Sequence, residues 1–119
     1  MIDSSIPNIK LIEMSHQNQS LIDTLNKCAA ACNYCSTACL GEEDIKMLST
    51  CIKLDMDCAQ ICSTVAGFLA RGSEHGKHLL KECAEICNKC ADECEKHVHM
   101  EHCKECAEAC RDCAKACEV

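Results

Sequence analysis

Sixteen of the 119 residues are cysteine, and their spacing is regular. The run C-A-x-x-C-x-x-C-x-x-x-C occurs at Cys28, Cys32, Cys35 and Cys39. It recurs at Cys83, Cys87, Cys90 and Cys94, and again at Cys106, Cys110, Cys113 and Cys117. A fourth stretch, Cys51, Asp55, Cys58 and Cys62, keeps the register but has Asp55 where the other copies have their second cysteine. Steps of 4, 3 and 4 residues return to one face of an α-helix, so each copy lines a single stripe with thiols. Cys103 extends the last stripe by one step of three.

Thiols in this arrangement point to soft or borderline metal ions: Cu(I), Zn(II) or an iron–sulfur cluster. Packing alone does not account for them, because Leu or Ile would stabilise a helical core by about 0.8 kcal/mol more per added methylene. Crosslinks between thiols four residues apart on one helix close loops too short to remove much chain entropy, which weighs against a disulfide scaffold. Iron–sulfur clusters are held by compact C-x-x-C loops. Each copy here spreads its thiols over about 16 Å of helix axis, which suits a column of ions. Filling that column with zinc at four thiolates per ion would leave a charge of about −2 per site, and no Lys or Arg lies on the stripes to offset it. Each Cu(I) replaces one thiol proton and leaves the core near neutral, so the expected cargo is many Cu(I) ions, on the order of 16 per chain. An iron–sulfur or thiol redox protein, and a zinc or general metal buffer, are the competing readings.

Four stripes need four helices to carry them. The periodicity predicts helices over about 15–40, 43–70, 74–97 and 101–118, with residues 1–14 as a separate N-terminal arm in which Ile9, Leu11 and Ile12 could pack. Gly41 is a plausible stop for the first helix, and Arg71-Gly72-Ser73 breaks the second, with Ser73 available to cap the third. Glu42, Glu43 and Asp44 place negative charge where the next helix dipole favours it. The first hairpin pattern recurs 55 positions on, Cys28 to Cys62 matching Cys83 to Cys117. The chain therefore reads as two tandem helical hairpins, about 15–71 and 73–118. Short connections make sequential helices antiparallel neighbours, so the expected fold is all-α, an up-down-up-down four-helix bundle over 15–119 with its Cys stripes facing the core.

This topology gives the bundle two unlike ends. Leu21, Leu25, Val65, Leu69, Leu79 and Leu80 make an apolar plug at one, with Phe68 nearby. At the other, the two turns gather Met47, His97, His99, Met100, His102 and Cys103. A His-rich turn is often only a polar loop. At the open end of a thiol-lined bundle these residues are expected to serve as loading ligands, with His97 and Cys103 best aligned to their stripes. His16, His75 and His78 lie near the plug and read as solvated. Asp55 either bonds a neighbouring polar group or contributes an oxygen ligand, since a buried carboxylate with no partner is costly.

Composition narrows the function further. The formal net charge of −7 argues against nucleic acid and against anionic membrane surfaces. No apolar run is long enough to span a bilayer. Met1–Pro7 lacks the features of an export signal, so a cytoplasmic location is the expectation. No nucleophile–base pair, phosphate loop or cofactor fingerprint is evident, and no enzymatic activity is expected.

The repeated C-A-x-x-C-x-x-C-x-x-x-C, the segment Cys51-Ile52-Lys53-Leu54-Asp55-Met56-Asp57-Cys58-Ala59-Gln60-Ile61-Cys62 and the His-rich turn before His102-Cys103 together resemble the cytosolic bacterial copper storage proteins. The resemblance covers about residues 20–118. It implies Cu(I) storage inside a four-helix bundle, loading through the His/Met end, Asp55 and the mouth histidines among the ligands, and a homotetramer. Off-stripe apolar residues such as Ile52, Ile61 and Ile86 are compatible with an interface between subunits.

Overall fold

The helices form because each segment pairs a stripe of small and apolar residues, broken in the second by Asp55, with a more polar outer face, and Pro is absent after position 7. The computed structural model describes residues 8–118, and side chains from residue 18 onward. Helix α1 runs Asn8–Leu40, α2 Ser49–Ala70, α3 Gly76–Cys94 and α4 Glu101–Cys117. Two short 3₁₀ turns, Lys46–Leu48 and Glu95–His97, lie at the same end of the molecule. Helix α1 begins earlier than the expected Ser15. Residues 8–14 of the expected 1–14 arm are therefore the start of this helix rather than a separate arm. Residues 1–7 of that arm, the packing of the Ile9, Leu11 and Ile12 side chains and the exposure of His16 fall outside the described residues.

Helix α1 packs on α2 and α4, and α3 packs on the same two, so α1 faces α3 across the bundle and α2 faces α4. This is the expected antiparallel four-helix bundle. The core contains all sixteen cysteines, with Ala29, Ala59, Ala84, Ala91, Ala107 and Ala114 beside them. The alanines following Cys28, Cys58, Cys83 and Cys106 are small enough for neighbouring helices to approach closely.

Turn chemistry accounts for the boundaries. Gly72 is the residue that needs a left-handed backbone, with φ of 70°. Its N–H donates to Leu69 O and the Ser73 N–H donates to Phe68 O, both at 3.0 Å, so α2 ends in the two-bond motif that satisfies the last carbonyls. Ser73 Oγ accepts from the His75 N–H at 3.2 Å, a local turn preceding α3. Gly76 sits where α3 starts against α2, and a Cβ there would meet Leu69 Cδ2 at 3.0 Å. The first helix ends at Leu40 without a left-handed glycine, since Gly41 closes a tight turn through its N–H to Ala38 O. Asp44 Oδ1 accepts from the Met47 N–H at 3.2 Å and begins the 3₁₀ turn, so α2 starts at Ser49 rather than near Glu43.

At the plug end Leu25, Val65, Leu69 and Leu80 are buried, with Leu21, Leu79 and Phe68 partly buried around them. His75 and His78 are exposed there. No described helix is long and apolar enough to cross a membrane.

Candidate metal centre

The cysteines meet across the bundle axis as one continuous column of free thiols. Nearest the plug, Cys62 Sγ lies 3.8 Å from Cys83, 3.7 Å from Cys87 and 3.8 Å from Cys113. Further along, Cys58 lies 3.5 Å from Cys87 and 3.8 Å from Cys28, and Cys110 lies 3.8 Å from Cys28 and 3.5 Å from Cys32. Cys106 continues the column, 3.7 Å from Cys32. Toward the mouth Cys51 is 3.5 Å from Cys94, and Cys35 is 3.9 Å from Cys103. Cys39 lies 4.0 Å from Cys35, and Cys117, at 4% exposure, sits at the far end.

These distances define overlapping sets of donors. Cys28, Cys32, Cys58 and Cys110 form one such set, Cys28, Cys62, Cys87 and Cys113 another, and Cys32, Cys90, Cys106 and Cys110 a third. Within each set all ligand atoms lie within 4.8 Å of one another. With a metal–sulfur bond of roughly 2.3 Å, two thiolates flanking one ion stand up to about 4.6 Å apart. The sets share cysteines, so adjacent ions would share bridging thiolates.

Asp55 is fully buried in the thiol column. The Cys90 and Cys106 thiols donate to its Oδ1 at 3.2 and 3.3 Å, Cys94 donates to the same oxygen at 3.6 Å, and Cys51 donates to Oδ2 at 3.8 Å. Burial pushes its carboxyl up to about 8, and negative charge on the neighbouring Cys106 and Cys51 acts in the same direction. It also belongs to a donor set with Cys35, Cys51 and Cys94. Hydrogen bonding to thiols and proximity to a metal set thus coincide at this residue. Burial likewise raises the Cys39 thiol to about 11, with the charge of Cys51 adding to it, and burial raises Cys103. Such thiols keep their protons until a cation displaces them.

The structure sorts the mouth residues. His102 is partly buried, and its Nδ1 lies 3.5 Å from Cys35 Sγ, 3.5 Å from Cys103 Sγ and 3.9 Å from Cys39 Sγ. These four residues form a further donor set. His97 is buried, with Nε2 3.1 Å from Glu93 Oε2. Met100 is half-buried against the core, and His99 is exposed with its ring 6.5 Å from that of His97. Met47 is 49% exposed, and the stripe position beside it is filled by buried Leu48. Glu42 and Glu93, the carboxylate partners of His102 and His97, were not singled out by the spacing of thiols. Two signals in the chain mark them: Glu93 stands four residues before His97, and Glu42 matches His97 under the 55-residue offset.

Only Asp55 and His97 are buried among the described polar and charged residues. A column of sixteen thiols with no buried Lys or Arg is therefore matched to cations that replace protons one for one.

Comparison with known proteins agrees with this chemistry. The family described as copper storage protein matches residues 14–119. A cytosolic copper storage protein from Streptomyces lividans, captured during copper loading with five coppers, has a TM-score of 0.84 at 40% identity over 88% of this chain and 92% of that one. Apo copper storage protein 3 from Bacillus subtilis has a TM-score of 0.78 at 40% identity, over 83% of this chain and 93% of that one. An uncharacterized cysteine-rich protein, YhjQ of Bacillus subtilis (strain 168), is 40% identical over 91 residues, which is 76% of this chain and 83% of its own length. With the family pattern spanning nearly all of the sequence and the thiols of four helices converging on one axis, the chain belongs to the copper storage protein family.

Proposed function

We propose that this chain stores many Cu(I) ions on cysteine thiolates inside its four-helix bundle, in the cytosol; its Streptomyces lividans relative is described as a cytosolic copper storage protein. One observation carries the reading: all sixteen thiols are buried in a continuous column, and among the described residues no buried Lys or Arg accompanies them. Each Cu(I) takes the place of a thiol proton, so the filled core stays near neutral. Storage, rather than catalysis, is the role. The ligands are the sixteen cysteines, with Asp55 supplying oxygen to the set of Cys35, Cys51 and Cys94.

Loading proceeds through the end that holds His97, His99, Met100 and His102. His102 lies against three thiols, which supports its place as the first ligand inside the mouth. His99 and Met47 lie outside it on the exposed rim, where they can pass an ion inward. At the opposite end Leu25, Val65, Leu69 and Leu80 are buried as an apolar plug.

The working form is a homotetramer. Ile52, Ile61 and Ile86 are only partly buried within one chain, and Tyr34 and Met56 are exposed, which leaves apolar surface for helix faces of further copies. Anaerobic Cu(I) titration of the reduced protein tests the storage reading. Saturation at many equivalents supports it, and saturation at one or two would indicate a chaperone or sensor.

A further inference from the structure

His102 is held from two sides. Its Nε2 lies 3.1 Å from Glu42 Oε1, while its Nδ1 faces Cys35, Cys39 and Cys103. A carboxylate oxygen accepts hydrogen bonds and does not donate them. In the neutral imidazole the proton therefore sits on Nε2, and the lone pair sits on Nδ1, directed at the thiols.

We propose that Glu42 is a positioning residue for copper capture. Its hydrogen bond fixes His102 as the Nε2–H tautomer and aims Nδ1 into the Cys35–Cys39–Cys103 group. The mouth then offers an incoming Cu(I) one imidazole nitrogen beside three thiols. The ligand assignment rests on the storage reading above, whereas the tautomer and ring orientation are properties of the metal-free protein.

The backbone supports this role. Glu42 stands just past α1, and its N–H donates to Cys39 O at 3.1 Å. The residue that holds His102 is thereby tied to the helix that carries Cys35 and Cys39. The bond from Glu42 to His102 crosses from the first hairpin to α4 and joins the two turns that frame the mouth. The other histidine–carboxylate pair, His97 with Glu93, lies within one helical segment four residues apart and makes no such bridge. Without an acceptor at Nε2, the His102 ring is free to exchange tautomers or rotate toward solvent, and Nδ1 is no longer preset. Removal of an outer partner of this kind lowers metal affinity by roughly 10–100-fold.

Wild type, Glu42→Gln and Glu42→Ala are compared in two ways. Long-range ¹H–¹⁵N spectra of the metal-free reduced proteins at about pH 8, above the ordinary histidine pKa, read the His102 tautomer. Competition with a Cu(I) chelator reads the affinity for the first equivalent. Wild type is expected to show the Nε2–H tautomer. The amide of Glu42→Gln can accept from Nε2–H or donate to a bare Nε2, so that variant is expected to keep the ring tethered, to hold the Nε2–H tautomer only in part and to lose less affinity than Glu42→Ala. Glu42→Ala loses the tautomer preference and about tenfold in first-ion affinity, with total capacity unchanged because all the thiols remain. An Nδ1–H tautomer in wild type overturns the proposal, as does a Glu42→Ala variant with unchanged tautomer and affinity. Should Glu42→Ala fail to fold, Glu42→Leu takes its place, since it fills similar space and offers Nε2 no acceptor; an unchanged tautomer and first-ion affinity there overturn the proposal. Because the tautomer is read without metal, failure there is distinguishable from failure of the storage reading, which would appear as low capacity in wild type.

Discussion

Asp55 stands on a stripe where every equivalent position in the other copies carries sulfur. Its carboxyl titrates near 8 in the folded protein, against an ordinary value of 3.8, because burial disfavours the charged form. The sign of the pH effect follows. As pH rises, the unfolded chain releases this proton first, so the folded state's advantage is complete below about pH 4 and is lost as pH climbs through about 8. Metal-free wild type should therefore lose on the order of 3 kcal/mol more unfolding free energy between about pH 5 and pH 8 than Asp55→Asn does. Urea unfolding of the two reduced proteins measures this, and parallel pH curves would show that Asp55 is not held protonated. Metal binding reverses the preference, since an oxygen ligand must be ionised.

Within the helices, the thiol stripes were legible because steps of 4 and 3 on a regular helix admit one inward face, and every cysteine so placed is buried. Leu25, Val65 and Leu69 were legible for the same reason. The mouth was legible in composition but not in orientation. Its backbone leaves α-helical geometry twice, through the 3₁₀ turns Lys46–Leu48 and Glu95–His97, and Met100 is extended with φ −97° and ψ 121°. A helical register cannot be carried through such breaks, so spacing could not decide that Leu48 turns inward while Met47 turns out, or that His102 meets the thiols while His99 does not. The early acidic run had the same limit: Asp44 starts a turn, whereas Glu42 reaches a histidine sixty residues away. These placements predict the behaviour of the mouth. Replacing His97, His99 and His102 together should slow Cu(I) loading in stopped-flow mixing while leaving capacity largely intact, and His102→Ala alone should account for most of the slowing. Loss of capacity at an unchanged rate would place the loading end elsewhere.

The described residues form a rod of 58 × 20 × 20 Å with unlike ends and a neutralisable core. Its outer faces retain apolar side chains, and sedimentation of the metal-free protein should give four times the 13.0 kDa chain mass. A monomeric mass at micromolar concentration would leave Tyr34, Met56 and the partly buried isoleucines without the subunit role assigned to them. The core is the more consequential feature, because one design choice, sixteen thiols with no buried Lys or Arg among the described residues, decides both which metal fits and how much. Anaerobic Cu(I) titration with simultaneous proton counting tests that choice most directly. Binding should continue to on the order of 16 Cu(I) per chain, with about one proton released for each ion. Saturation at one or two equivalents, or a proton count that leaves a strongly charged core, would contradict the account.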